Sequence, residues 1–286
     1  QLAFSWNGKE QNNFDIYNRP LDGGTPLRLT THPARDLWPA WSPDGRNIAF
    51  LRASRVEPVA DVLVIPSQGG AERRISECPL LADIGASGPA IAWTDDGKRL
   101  IMPYTEAAGG KVALAVVSPE TFDRSPLTRP PADSAGDCCP VLSPDGRTLA
   151  FLRATREGGW QVHLLPLGED YRPAGEARQI TADPTGVSAP MWMDGGKTLY
   201  YAATDRGGWV LWRMSPDGSS RRPVDALFPL GTDWTASPDG ARLAFANGTS
   251  HAEIWRLDLG DGKTLERVTS TSGAREIGRA SCRERV

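Results

Sequence analysis

Short apolar runs that alternate with polar turns recur along the 286-residue chain. In each repeat, an apolar run leads into Ser-Pro-Asp-Gly or a close variant, and a second apolar run follows, as in Ile48-Ala49-Phe50. No apolar stripe with a period of 3.6 residues persists for ten residues, so the pattern predicts strands and not helices. The five repeats occupy residues 39–50, 90–102, 140–151, 190–201 and 234–245.

The turn sequence explains how each pair of strands reverses direction. Proline presets φ for the second position of a type I turn, and the serine and aspartate oxygens bind nearby backbone N–H groups. Glycine then adopts the left-handed conformation that lets the chain reverse. The turn glycines follow one another at intervals of roughly 50 residues, which is the length of one four-stranded propeller blade. They are Gly45, Gly97, Gly146, Gly196 and Gly240.

The repeat predicts an all-β fold, a β-propeller of four-stranded antiparallel blades, with about six blades in residues 1–276. Two further strands complete each blade. Residues 2–6, 14–17 and 27–30 match the second, third and fourth strands, so the first blade is predicted to be partial. The second Ser-Pro-Asp-Gly match, at residues 215–218, falls where a turn between the third and fourth strands belongs, and we do not interpret it as a blade start.

Residues 277–286 (IGRASCRERV) show no strand alternation. The string matches, along its whole length, the translation of a common sequencing-library adapter, so we predict a non-native tail and exclude it from the fold. A natural basic tail is the alternative. With an incomplete first blade, we also predict an exposed strand edge near residues 2–6 and a poorly soluble chain, because unpaired strand edges promote association.

The repeat resembles the TolB-like, WD40-like propeller family over nearly all of residues 1–276. Residues 13–17, 25–31 and 39–45 resemble in particular the propellers that follow winged-helix or serine/threonine kinase domains in large bacterial proteins. This resemblance implies a periplasmic or extracytoplasmic sensor or interaction role, tethered through an upstream membrane span, with a protein or peptide as partner. Two alternatives remain: the gating propeller of a prolyl-oligopeptidase-type serine peptidase, and a stand-alone TolB-like periplasmic adaptor, a role in which TolB engages a peptidoglycan-associated lipoprotein.

Composition adds mainly exclusions. The net charge of −3 is spread without basic runs, which disfavours nucleic-acid binding. No apolar stretch approaches the ~20 residues of a membrane helix. There is no Gly-x-Ser-x-Gly elbow and no phosphate-binding loop, and the three histidines are scattered. We therefore predict a non-enzymatic chain without a metal or other cofactor.

Two features of the sequence could take part in a reaction or bind a ligand. Cys138 and Cys139 are adjacent and could close a strained ring, although two small residues leading into a strand is the interpretation we favour. The other feature is the set of residues just before each first strand, which would form one rim of the propeller channel. Its acidic members could hold a cation or a basic peptide; the alternative is that they are solvated or cap strand ends. The candidate ligand-binding residues are Arg35, Asp36, Trp38, Asp83, Asp137 and Asp233.

Overall fold

The computed structural model describes residues 1–8, 13–21, 23–53, 59–80, 90–107, 110–156, 159–184, 186–205, 208–224, 234–237, 242–247, 253–258, 265–267 and 277–282. These residues form antiparallel β-sheets joined by turns, with two short 3-10 turns at Glu169–Tyr171 and Asp194–Gly196. The all-β propeller architecture predicted from the repeat is confirmed. Among the described residues, no helix has the length and apolar character needed to cross a membrane.

Five sheets contain four consecutive strands each, and we call them blades 1 to 5. Blade 1 contains β4 (Arg35–Trp41), β5 (Asn47–Ala53), β6 (Val59–Pro66) and β7 (Arg73–Pro79). Blade 2 contains β8 (Ala92–Trp93), β9 (Leu100–Tyr104), β10 (Ala113–Val117) and β11 (Arg124–Pro126). Blade 3 contains β12 (Asp137–Leu142), β13 (Thr148–Ala154), β14 (Trp160–Pro166) and β15 (Arg178–Gln179). Blade 4 contains β16 (Val187–Met193), β17 (Thr198–Asp205), β18 (Gly208–Met214) and β19 (Arg222–Pro223). Blade 5 contains β20 (Trp234–Ala236), β21 (Arg242–Asn247), β22 (Glu253–Asp258) and β23 (Leu265–Arg267).

A further sheet, the N-terminal sheet, combines β1 (Leu2–Trp6), β2 (Asp15–Arg19) and β3 (Leu27–Arg28) with β24 (Ile277–Cys282). The prediction of about six blades is therefore corrected to five blades of consecutive strands within the described residues. The first three strands lack a neighbouring first strand of their own, and the far end of the chain supplies it.

The exposed edge predicted at residues 2–6 is wrong for this chain, because β24 covers it. Leu2 pairs with Cys282 and Phe4 with Ala280 in antiparallel register. Residues 277–286 were predicted to lie outside the fold, but the first six of them form this strand. The unpaired N–H and C=O groups of an edge strand accept any extended segment that reaches them, whatever its side-chain pattern. The origin of the tail stays a prediction.

The turn between the first and second strands has the predicted chemistry in blades 1, 2 and 3. In blade 3, the Ser143 hydroxyl donates to Asp145 Oδ1 at 2.6 Å and accepts the Thr148 N–H at 2.9 Å. Gly146, with φ +69°, donates its N–H to the Ser143 carbonyl at 2.9 Å. In blade 1, Gly45 donates its N–H to the Ser42 carbonyl at 2.8 Å. The second Ser-Pro-Asp-Gly match joins β18 to β19, as predicted, with Gly218 at φ +91°.

The described chain divides into two compact units, each with its own packing. The first unit comprises residues 1–76 and 229–286. In it, the second and third strands of blade 1 are almost completely buried and pack against the N-terminal sheet, and for this reason they have continuous apolar runs instead of alternating ones. Its main cluster contains Ala3, Ile16, Ile48, Phe50, Leu63 and Ile65.

The second unit comprises residues 77–228 and contains blades 2, 3 and 4. One cluster lies between blades 2 and 3, around Ile101, Leu149 and Phe151, and a larger one lies between blades 3 and 4, around Leu152, Leu199 and Tyr201. Trp192 packs into the second cluster and donates its indole N–H to the Val141 carbonyl at 3.1 Å. Trp41, at the equivalent position of the repeat in blade 1, packs against the main cluster of the first unit.

Candidate functional site

The start of β4 contains a buried ion pair between Asp36, one of the predicted site residues, and Arg52 of β5. Asp36 lies opposite Arg52 in the β4–β5 ladder, and the carboxylate accepts two guanidinium hydrogen bonds, at 2.7 and 2.9 Å. Arg52 also donates to both oxygens of Glu72, at 2.6 and 2.9 Å. The Asp36 side chain is completely buried, and that of Arg52 is 10% exposed. This geometry fixes the carboxylate as a partner of the arginine.

Blade 3 repeats the arrangement at equivalent positions. Asp137 lies opposite Arg153 and accepts two hydrogen bonds from it, at 2.7 and 2.8 Å. The Asp137 side chain is also completely buried. A bidentate arginine satisfies a buried carboxylate, which would otherwise be costly to desolvate. Two of the four acidic residues proposed to line the rim therefore hold the first and second strands of their blades together.

Electrostatics reinforce this structural role in blade 1. Burial lowers the pKa of Arg52, but its hydrogen bonds with Asp36 and Glu72 outweigh burial and hold that pKa above its usual value. Burial raises the pKa of the Asp36 carboxyl, and hydrogen bonds from Arg52 and Thr30 oppose the rise. Asp36 therefore depends on Arg52 to remain ionised in a buried position.

A β-bulge follows each of these aspartates. In blade 1 the pairing moves from Leu37 opposite Leu51 to Ala40 opposite Ala49, so two residues face one. The extra residues are Trp38 and Pro39, with Trp38 at φ +52°. Proline has no N–H to give to the ladder, which explains why the ladder is interrupted at this point. Blades 3 and 4 have the same interruption, with Pro140 and Pro190 at the equivalent position.

Blade 1 presents side chains to solvent at this bulge. Arg35 is exposed, and its guanidinium carbon lies 5.0 Å from the centre of the Phe14 ring. Trp38 is partly buried. Arginine and tryptophan are among the side chains enriched at protein-binding hot spots. The corresponding residues of blade 3, Gly136 to Pro140, are all buried.

The candidate residues thus separate into different groups. Arg35 and Trp38 are accessible at the start of β4, whereas Asp36 and Asp137 are buried in ion pairs. Asp83 and Asp233 lie outside the described residues. Ligand binding at any of the six stays a prediction. In the described ranges, no three histidine, cysteine, aspartate or glutamate side chains are grouped so that they could hold a metal ion.

Sequence reasoning missed the arginines, although a signal was present. Arg52 follows Asp36 by 16 residues, and Arg153 follows Asp137 by the same 16 residues. An acidic residue at the start of a first strand and an arginine late in the second strand meet across an antiparallel pair, so the shared spacing identifies a structural pair and not two free groups.

Comparison with protein families gives a match to the Tricorn protease N-terminal beta propeller domain over residues 10–227. A Tricorn protease homolog 1 from Streptomyces coelicolor is 27% identical over 273 residues, covering 92% of this chain and 24% of that protein. A TolB homolog from Chlorobium luteolum is 29% identical over 209 residues, covering 72% of this chain and 42% of that protein. The chain therefore spans less than half the length of either relative.

Solved structures share the fold at low sequence identity. TolB from Acinetobacter baumannii superposes with a TM-score of 0.76 at 17% identity, over 98% of this chain and 65% of that one. A puromycin-hydrolyzing peptidase from Mycobacterium tuberculosis gives a TM-score of 0.60 at 16% identity, over 99% of this chain and 47% of that one. Both likenesses concern the fold alone.

Proposed function

Because the chain belongs to the family of Tricorn protease N-terminal β-propeller domains, we propose that it is a non-catalytic recognition propeller of a larger, peptidase-type protein. In this role it would bind peptide or protein segments and control their access to a catalytic domain elsewhere. The alignment with the Streptomyces coelicolor homolog, which covers 92% of this chain but 24% of that protein, is the observation that carries the proposal.

The geometry of blade 1 suggests where such a segment would bind. Since the Asp36 carboxylate is buried and paired with Arg52, the exposed charged residue at the start of β4 is Arg35, whose guanidinium lies over the Phe14 ring. This arrangement favours a ligand with a carboxylate, such as a peptide C-terminus, and modifies our expectation of a cation or a basic peptide at this position. Arginine pairs well with carboxylates because its planar fork donates two parallel hydrogen bonds.

A binding experiment tests the proposal. We would measure fluorescence anisotropy of a fluorescein-labelled random octapeptide pool with free C-termini, and of the same pool amidated. Binding of the free pool should exceed that of the amidated pool, and Arg35→Ala should weaken it about tenfold, as expected for an interface arginine. Arg46→Ala is the matched control, since Arg46 is an equally charged turn residue whose side chain is 85% exposed.

Equal weakening by the two substitutions would indicate non-specific charge attraction and would contradict a site at Arg35. The chain alone should also leave fluorogenic oligopeptide substrates intact. Hydrolysis that copurifies with the full chain through successive columns would overturn its assignment as non-catalytic.

A second candidate is a TolB-like interaction propeller, which the 29% identity to the TolB homolog from Chlorobium luteolum, over 72% of this chain, favours. In that role the chain would act outside the cytoplasm and bind another protein, without a peptidase domain. None of the relatives described above is a winged-helix regulator or a kinase. That this propeller follows a winged-helix or kinase domain therefore stays a prediction. The sequence flanking this chain in the intact gene separates these roles: a Gly-x-Ser-x-Gly or other peptidase domain supports the first, and a secretory signal with a small α/β domain supports the second.

A further inference from the structure

Blade 3 places two cysteine thiols against each other inside its bulge. The sulfur atoms of Cys138 and Cys139 are 3.1 Å apart, and the residues are 1% and 3% exposed. In a regular strand, neighbouring side chains point to opposite faces of the sheet and could not meet. Here the backbone of Cys139 has a φ of +56°, which turns both side chains to one side of the chain.

The bulge itself belongs to the repeat, but the thiols do not. Blade 1 has Leu37 and Trp38 at the same two positions, also with a positive φ at the second residue, and blade 4 has Ser188 and Ala189. The proline after each pair explains the interrupted ladder in all three blades. This backbone therefore forms without cysteines in blades 1 and 4, and the bulge alone does not explain why blade 3 has two of them.

We propose that Cys138 and Cys139 form a redox-active dithiol that closes to a vicinal disulfide under oxidising conditions. The oxidant is a low-molecular-weight disulfide such as glutathione disulfide. One thiolate attacks it and releases one glutathione thiol; the neighbouring thiolate then attacks the mixed disulfide and releases the second. One sulfur–sulfur bond is formed and one is broken, two electrons pass to glutathione, and the two cysteine protons end on the released thiols.

The closed ring should open readily. Consecutive Cα atoms are about 3.8 Å apart across a trans peptide, whereas disulfide-linked Cα atoms are usually about 4.4–6.8 Å apart. A disulfide under such strain is more easily reduced than an ordinary structural one, as expected of a reversible switch.

The location of the Cys138–Cys139 disulfide in the bulge would affect the local structure. Cys138 follows Asp137, whose carboxylate is tied to Arg153, and Cys139 precedes Pro140, which has no N–H. Closing the ring between these two fixed points would lock the conformation of the bulge at the start of β12. Because both thiols are buried, oxidation requires either the unfolded chain or a local opening of this bulge.

Thiol counting provides the test. The full chain is refolded in glutathione buffers of graded ratio, denatured, treated with N-ethylmaleimide and analysed by mass spectrometry of its peptides. We expect all four cysteines to be labelled after dithiothreitol, and Cys138 and Cys139 to lose both labels in oxidising buffer with a 2-Da loss in their peptide. Full labelling at every ratio, a glutathione adduct, or a bond to Cys78 or Cys282 would overturn the proposal.

A matched variant separates the bond from its effect on folding. Cys138→Ser with Cys139→Ala installs the pair that blade 4 carries at the same bulge, so the backbone has a precedent within this chain. The melting temperature of the unsubstituted chain should differ between oxidised and reduced samples, and that of the double variant should not. An equal redox shift in the double variant would assign the effect to another cysteine and contradict the proposal.

Discussion

A β-carbon added to Gly146 would lie 2.5 Å from Oδ1 of Asp95, a residue in the corresponding turn of blade 2. The same Asp95 oxygen accepts the Tyr171 hydroxyl at 2.6 Å. Burial and this hydrogen bond raise the pKa of Tyr171 to about 12, so the hydroxyl remains a donor at physiological pH. Gly146 therefore has two functions: it reverses the chain, and it leaves space for the turn of the preceding blade.

Gly146→Ala should destabilise the second unit by about 2 kcal/mol or more. One contribution is the strain of alanine at φ +69°, and the other is the displacement of Asp95 from its bond with Tyr171. The free energy of unfolding, measured by urea titration, checks this expectation.

Gly195→Ala is the control for backbone strain. Gly195 has a similar φ of +64°, but an added β-carbon there meets no atom within 4 Å. We expect it to cost only the strain component, about 1 kcal/mol. If both substitutions have equal cost, Asp95 is not the reason that position 146 is glycine.

The buried ion pair of blade 1 yields a second prediction. Arg52→Met should lower the free energy of unfolding by about 3 kcal/mol, because it leaves the Asp36 carboxyl buried without its charged partner. Thermal or urea unfolding followed by tryptophan fluorescence measures the change. The double substitution Asp36→Leu with Arg52→Met should recover part of the loss, since it removes the unpaired group as well.

Arg74→Met is the matched control in the same blade. Arg74 binds Asp61 at 2.6 Å, but the two side chains are 52% and 40% exposed. Exposed pairs contribute about 0–1 kcal/mol because water and salt screen them. Comparable losses for Arg52→Met and Arg74→Met would show that the Asp36–Arg52 pair is not acting as a buried pair.

The repeat was sufficient to predict the strands and turns, because residues close together in the sequence determine each of them. Proline, aspartate and glycine specify the turn, and the apolar runs specify the strands on either side of it. The pairing of β1 with β24 was not predictable in this way. Their pairing joins the two ends of the described chain, and backbone hydrogen bonds, which any sequence can make, determine it.

The candidate site was predicted less well, because position in a repeat does not reveal what a polar side chain contacts. Asp36 and Arg35 are neighbours in sequence, yet one is buried in an ion pair and the other is exposed. The difference arises from the period of two in a strand, which directs neighbouring side chains to opposite faces, combined with an arginine 16 residues away. The contact between the two thiols depends on the positive φ of Cys139, which the sequence pattern did not predict.

A pH dependence should follow from His163 in β14. Its ring is buried and lies 5.6 Å from the Phe151 ring. Burial lowers the pKa of His163 below 6.5, and Arg153 adds to this effect, while the Gln161 carbonyl and Asp137 oppose it. The unfolded chain therefore takes up a proton near pH 6.5 before the folded chain does. Stability conferred by neutral His163 is complete above that pH and is lost as the pH falls below it.

His163→Gln removes this titration while keeping a polar side chain of similar length. The free energy of unfolding of the unsubstituted chain should fall relative to that of the variant between pH 7.5 and 5.5, so the difference between them changes with pH. His32→Gln is the control, because His32 is exposed and accepts the Ala34 N–H through Nδ1. Parallel pH profiles for the unsubstituted chain and His163→Gln would mean that the folded protein protonates this histidine as easily as the unfolded chain does. The ring would then have to reach water in the native state, which its burial against Phe151 does not allow.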